Sequence, residues 1–169
     1  TANWNTPQSI TVTGADDSLD DGDITTTLTA TASNTGGYAG SETATTTVKN
    51  TDNDSSGITI AKTGSTDGSG NLLTTEAGGT STFTVVLDAQ PTADVNVNLT
   101  GADSTEHSLS ASTLTFTTAN WNTAQSITVT GADDSLVDGD ITTTLTATAS
   151  NTGGFSGSEA ASTSVKTVD

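Results

Sequence analysis

The sequence predicts an all-β protein built as an antiparallel sandwich, and three observations support this. Apolar and polar residues alternate at a period of two in short segments, as in the run VNVNL at 95–99. Thr and Val, which favour a pleated and half-buried surface, are abundant in these segments. No segment shows a helical repeat of 3.6 residues with capping residues. The pattern therefore favours strands that bury one face and expose the other.

A stretch of the chain occurs twice. Residues 1–52 reappear as residues 118–169 at a constant offset of 117 residues, with 9 mismatches in 52 positions. This period exceeds the ~20–50 residues of solenoid repeats and suits a string of whole domains. We therefore predict a window of a tandem array. Residues 1–54 would be the C-terminal part of one domain, and residues 57–169 one complete domain.

Seven strands are predicted in the complete domain. They are labelled A to G here and centre on residues 58–61, 82–87, 95–99, 114–116, 127–129, 141–149 and 161–165. Segments rich in turn residues separate them. Seven short strands at this spacing are typical of an immunoglobulin-like sandwich, with Trp121 expected to pack at its end or at the edge of the core. Residues 1–54 would supply strands E, F and G alone, so that Ile10, Val12, Ile24 and Leu28 would face water.

The charge of the chain restricts its partners. It has 20 acidic and 3 basic residues, a net charge of −17, and no cysteine. Nucleic-acid binding needs lysine or arginine to replace phosphate counterions, and anionic membranes attract basic segments, so neither partner is expected. No apolar run approaches the ~20 residues of a membrane span. The lack of cysteine excludes disulfides and thiolate metal sites.

Acidic residues concentrate in one loop of each repeat. The first copy has the loop DDSLDDGD, with Asp16, Asp17, Asp20, Asp21 and Asp23. The second copy has DDSLVDGD, with Asp133, Asp134, Asp138 and Asp140. Neighbouring carboxylates repel each other by about 1 kcal/mol per close pair even in water, and a cation removes this repulsion. Hard oxygen ligands without His or Cys point to calcium.

Antiparallel topology gathers more acids at the same end. Because consecutive strands alternate in direction, the A–B, C–D and E–F loops and the end of strand G share one end of the sandwich. We therefore predict a calcium site there in the complete domain, with candidate ligands Glu76, Asp103, Glu106, Asp133, Asp134, Asp138, Asp140 and Asp169. The corresponding candidates of the first copy are Asp16, Asp17, Asp21, Asp23, Asp52 and Asp54. The alternative is a solvated acidic surface that keeps the protein soluble.

The segments NLLTTEAGGTSTFTVVLDAQPTADVNVNL and STLTFTTANWNTAQSITVTGADDSLVDGD resemble the Calx-beta domain, as does the DND that closes the first copy. They are most similar to the Calx-beta-like repeats of large bacterial surface adhesins and secreted repeat proteins. The resemblance covers residues 57–169 and the partial copy in 1–54. It implies a seven-stranded sandwich with calcium at one end, near the next domain, bound by Glu76, the E–F loop acids and Asp169. Whether Asp103 or Glu106 takes the C–D ligand role stays open.

These observations favour a calcium-binding structural extender module of a tandem-repeat adhesin, stiffened by Ca²⁺ at domain junctions and located outside a bacterial cell, surface-anchored or secreted. Its partners would be adjacent repeats of the same polypeptide, and strand-swapped self-association is available to the fragment. An alternative is a module that binds glycan or ice through the Thr-rich strand TTTLTATA. An enzyme is not expected, because the single histidine, His107, has no nucleophile signature around it.

Overall fold

The computed structural model describes residues 3–169, so residues 1 and 2 of the predicted first domain lie outside the described part. Strands and connecting segments make up this range, and it contains no helix, so the all-β prediction is confirmed. In the described residues no helix is long and apolar enough to cross a membrane. The strands are β1 (Ile24–Thr31), β2 (Thr43–Asn50), β3 (Ile58–Lys62), β4 (Leu72–Thr75), β5 (Thr80–Leu87), β6 (Val95–Thr100), β7 (His107–Leu109), β8 (Thr113–Phe116), β9 (Gln125–Gly131), β10 (Ile141–Ala149) and β11 (Ala160–Val168).

The chain forms two compact units. The first comprises the residues up to Asp17 together with Gly22–Asp52, and the second comprises Ser18–Asp21 together with Asn53–Asp169. Strands β1 and β2 belong to the first unit, and β3 to β11 belong to the second. The four residues Ser18–Asp21 are therefore part of the second unit, although their chain neighbours on both sides belong to the first.

The second unit is a sandwich of two sheets. One sheet has the strand order β4-β11-β10-β6-β8, and the other has the order β3-β5-β9-β7. All neighbouring strands in these sheets are antiparallel except β4 and β11, which are parallel. Inward-facing residues of both sheets form one core, which includes the fully buried Phe83 and Phe116. Trp121 is partly buried and packs against this core, as expected.

The count of seven strands is not confirmed, because the second unit contains nine. Strand β4 was missed. It follows the segment 63–71, which is rich in turn residues, and it pairs with β11 in the sheet that does not contain β3. Predicted strand D is present as β8, which pairs with β6, whereas β7 lies in the predicted C–D connection, pairs with β9 and was missed. A strand of three residues, such as β7, is too short to produce a readable alternation.

The first unit contains a two-stranded antiparallel sheet, with Ile24 paired to Asn50 at one end and Thr31 to Thr43 at the other. The prediction of a strand E in this copy is wrong, because the described residues 3–23 contain no strand. The counterpart β9 is paired on both sides, by β5 and β7, and the first copy has no equivalents of those two strands in residues 3–52. Without partners an extended segment leaves its backbone groups unpaired.

Apolar residues of the first unit are exposed where the second unit buries their counterparts. Ile10 is 88% exposed and Leu28 37%, whereas Ile127 and Leu145, the equivalent residues, are 0% exposed. The two copies have nearly the same sequence over this stretch. The difference therefore comes from the lack of an opposite sheet in residues 3–52 and not from the residues themselves.

Candidate metal centre

Glu106 is fixed by its backbone at one end of the sandwich of the second unit. Its amide donates to the carbonyl of Asp103 (3.1 Å), and its own carbonyl accepts a hydrogen bond from the amide of Ala132 (2.8 Å). The hydroxyl of Thr167 donates to the same carbonyl (3.4 Å). Glu106 is thus held between the end of β9 and the end of β11, where the acidic loop begins.

The carboxylate of Glu106 is buried and incompletely paired. The residue is only 4% exposed, and Oε2 is buried without a hydrogen-bond partner. Burial raises the pKa of this carboxyl, and the nearby carboxylates of Asp138, Asp103, Asp134 and Asp169 raise it further. A buried polar atom without a partner carries its full desolvation cost, which either protonation or a bound cation would reduce.

Two acids of the β9–β10 loop complete a close group with Glu106. One carboxylate oxygen from each of Glu106, Asp134 and Asp138 lies within 4.8 Å of the others. Asp134 is half-buried and Asp138 is exposed, so the group runs from the interior to the surface. Among the residues described, this is the one set of three acidic or histidine side chains close enough to share an ion.

The loop that presents Asp134 and Asp138 is shaped by local hydrogen bonds. Asp134 Oδ1 accepts a hydrogen bond from the amide of Leu136 (2.8 Å). The intervening Ser135 adopts a left-handed conformation, with φ of 67°, which non-glycine residues rarely adopt. The amide of Gly139 donates to Asp169 Oδ2 (3.2 Å), which attaches the loop to the end of β11.

Glu76 approaches the same place from the turn between β4 and β5. Its amide donates to the carbonyl of Val168 (3.0 Å), the last residue of β11. Partial burial raises the pKa of the Glu76 carboxyl, and the carboxylates of Asp169 and Asp134 raise it further. We call Glu76, Glu106, Asp134, Asp138 and Asp169 the acidic cluster.

A close backbone approach keeps the turn and the loop together. The amide of Gly131, at the end of β9, donates to the carbonyl of Gly79 (2.9 Å). A Cβ atom at position 131 would lie 2.0 Å from the carbonyl oxygen of Thr75. Only glycine fits this position without displacing the turn that leads to Glu76.

The structure places three other predicted ligands in local interactions. Asp103 Oδ1 accepts hydrogen bonds from the amide (3.1 Å) and hydroxyl (2.7 Å) of Thr105. Of the two C–D candidates, Glu106 is therefore the one in the close group. Asp133 Oδ1 accepts from the amide of Ser135 (3.3 Å). Asp140 forms an ion pair with Lys166 (2.6 Å).

The acids of the first copy are divided between the units. Asp16, Asp17, Asp23 and Asp52 lie in the first unit, and Asp21 and Asp54 lie in the second. In the first unit Asp23 pairs with Lys49, as Asp140 pairs with Lys166. The amide of Gly22 donates to Asp52 Oδ2 (2.7 Å), as Gly139 does to Asp169. Residues 3–52 hold no counterparts of Glu76 and Glu106, which precede the repeated stretch in the complete domain.

In the part of the chain that the structure describes, no lysine pairs with the acidic cluster. The sequence contains three basic residues, all lysine. Lys49 and Lys166 pair with aspartates outside the cluster, and Lys62 donates to the carbonyl of Gly70. His107, beside Glu106 in sequence, is 1% exposed, and burial lowers its pKa, which favours its neutral form. The ion pairs of Asp23 and Asp140 were missed, although both copies retain the Asp and Lys positions.

No protein-family model matches the chain, and no curated protein matches it. Fold and site geometry are therefore the observations that bear on function.

Proposed function

We propose that the second unit is a calcium-binding structural module, an extender in a tandem array of similar domains. The observation that carries this proposal is the buried Glu106 carboxylate, whose Oε2 has no partner and which lies within 4.8 Å of two further carboxylates. In residues 3–169 no lysine side chain supplies a compensating positive charge there. A bound cation would satisfy the buried oxygen and remove the repulsion among the acids.

The donor chemistry favours calcium over other ions. The available ligands are carboxylate oxygens, which suit hard cations, and the chain has no cysteine. Calcium accepts six to eight oxygen ligands at about 2.3–2.6 Å in flexible geometry, whereas magnesium demands near-ideal octahedral geometry and retains its waters. Glu106, Asp134 and Asp138 would hold the ion. Glu76 and Asp169 would complete its surroundings.

The position of the cluster explains what calcium would do to the domain. Its members belong to the β4–β5 turn, the β6–β7 connection, the β9–β10 loop and the end of β11. Strands β4, β6 and β11 are in one sheet, and β5, β7 and β9 are in the other. One ion would therefore join both sheets at one end of the sandwich and stiffen that end.

The strand order supports a finer description of the fold. We propose an immunoglobulin-like sandwich of the Calx-beta kind, in which β4 continues strand A into the opposite sheet and β7 and β8 share strand D. The order β3-β5-β9-β7 then corresponds to A-B-E-D, and β11-β10-β6 to G-F-C. The module would act outside a bacterial cell in a surface-anchored or secreted adhesin, with adjacent repeats of the same polypeptide as its partners.

Isothermal titration calorimetry with calcium chloride tests this function. We expect the chain to bind calcium and Glu106→Gln to lose most of this binding. Glu159→Gln is the matched control, because Glu159 accepts hydrogen bonds from Ser156 (3.0 Å) and Gly157 (3.0 Å) in the β10–β11 loop, away from the cluster. Equal calcium binding by the two variants, or none by the unmodified chain, would contradict the proposal.

A further inference from the structure

Hydrogen bonds at Ser18 and Asp20 attach the segment Ser18–Asp21 to the rest of the second unit. The amide of Gln90, in the β5–β6 loop, donates to the carbonyl of Ser18 (2.7 Å). The amide of Ser56 donates to Asp20 Oδ2 (2.6 Å). These bonds hold both sides of Leu19, the apolar residue at the centre of the segment.

Leu19 lies at a small apolar pocket at this place. The pocket lies within the second unit, and the residues that line it include Leu19, Ala89, Gln90 and Phe155. Ala89 is 1% exposed and Phe155 is 3% exposed, and Leu19 itself is partly buried. The β5–β6 and β10–β11 loops that form the pocket connect the opposite strand ends from those that carry the acidic cluster.

The second repeat contains the same segment in an unseated form. Leu136 is the counterpart of Leu19, within an ADDSL sequence shared by both copies, but it is 61% exposed. Val137, the counterpart of Asp20, is 96% exposed. Ser135 has φ of 67°, whereas its counterpart Ser18 is not in the left-handed region. The same loop sequence thus adopts one conformation where it is seated and another where it is not.

We propose that Leu136 of this domain lines the Ala89–Phe155 pocket of a second copy of the domain, as Leu19 does in this chain. The partner is a second copy because the segment that lies at this pocket, Ser18–Asp21, belongs to a loop that shares the sequence DDSL with the loop of Leu136. This inference rests on the proposed tandem array but not on calcium binding. The acidic loop would then have two roles: its aspartates hold the ion, and its leucine attaches the following domain.

One sequence difference sets the strength of the two attachments. Asp20 supplies the acceptor for the amide of Ser56, and the second copy has Val137 at this position. The docking of Leu136 therefore lacks one hydrogen bond that the docking of Leu19 has. We expect Val137→Asp to strengthen it.

Amide hydrogen exchange of the full chain, measured by NMR in chelator, tests the seated segment. We expect Leu19→Ala to accelerate exchange at Gln90 and Ser56 by about tenfold or more, and Leu136→Ala, the matched control, to leave both unchanged. The amide of Ser110, which donates to the carbonyl of Thr128 (2.9 Å) away from the pocket, is the internal reference. Unchanged exchange at Gln90 in Leu19→Ala would overturn the inference.

A chain extended after Asp169 by a second copy of residues 53–169 tests the proposed contact itself. This extension reproduces the spacing between the repeats, since Asp169 corresponds to Asp52. Nitrogen-15 is placed in the appended copy alone. We expect Leu136→Ala in the original copy to accelerate amide exchange at Gln90 of the appended copy at least about tenfold. Val137→Asp should newly protect its Ser56. The docking would be refuted if the Gln90 amide of the appended copy exchanged without protection, or if Leu136→Ala did not change its exchange rate. Calorimetry that shows no calcium binding, or equal binding by Glu106→Gln, would refute only the calcium site.

Discussion

Replacing Glu106 with glutamine removes a buried charge and keeps the shape of the side chain. In the absence of metal the unmodified domain holds a carboxylate that is 4% exposed and has a raised pKa. Glutamine removes its repulsion from Asp134 and Asp138. We therefore expect the variant to unfold at the same temperature as the unmodified chain or at a higher one in chelator.

Calcium should reverse this order. An ion that binds only the folded state stabilises it by about 2.7 kcal/mol when its free concentration is a hundredfold above Kd. At about 4 °C per kcal/mol for a domain of this size, the melting temperature of the unmodified second unit should rise by about 10 °C. Glu106→Gln lacks the central ligand and should shift by only a small part of this.

Thermal unfolding of both proteins, followed by circular dichroism with calcium, with magnesium and with chelator, gives the comparison. The expected result is a crossing: the variant is equally or more stable in chelator and less stable in calcium. Magnesium should stabilise the unmodified chain less than calcium does. Coincident curves of the unmodified chain with calcium and with chelator would refute the reasoning, and so would a variant that keeps the full calcium shift.

Three further outcomes follow from the structure. Leu145→Ala should lower the free energy of unfolding of the second unit by about 2–5 kcal/mol in urea denaturation. Leu28→Ala, at the matching exposed position, should change the free energy of unfolding little. Similar losses in the two variants would contradict the exposure of Leu28. Burial raises the pKa of Glu159, but hydrogen bonds from Ser156 and Gly157 outweigh it and lower the pKa from 4.5 to about 2. The stability that Glu159 contributes should thus be present above pH 4.5 and lost towards pH 2. The difference in free energy of unfolding between the unmodified chain and Glu159→Gln should therefore shrink as the pH falls through this range. A difference that stays constant in denaturant titrations at each pH would contradict this. Asp140→Asn should keep most of the calcium-dependent rise in melting temperature, because Asp140 pairs with Lys166; loss of the rise would place Asp140 among the ligands.

Strand periodicity predicted the β-class and most of the core. Alternation identified Val95, Val97 and Leu99 as one inward face, and all three are buried. Strand β4 could not be predicted in this way, because Leu72–Thr75 follows a run of turn residues and pairs with the distant β11. Its pairing depends on contacts between segments far apart in sequence, which local patterns do not contain.

The site was predictable as a region but not as a ligand set. The topology argument named the loops that supply the acidic cluster. It could not choose between Asp103 and Glu106, because the choice depends on which carboxylate turns inward and which bonds to Thr105. It also grouped Asp140 with the ligands, since sequence proximity to Asp138 does not reveal that Lys166 lies across the strand pair.

A crystal structure of the chain grown in calcium tests the proposed metal centre most directly. We expect an anomalous peak within about 2.3–2.6 Å of carboxylate oxygens of Glu106, Asp134 and Asp138, with Oε2 of Glu106 among the ligands. A structure in which Glu106 instead bonds to an ordered water or to protein, with no metal among these three side chains, would contradict the account.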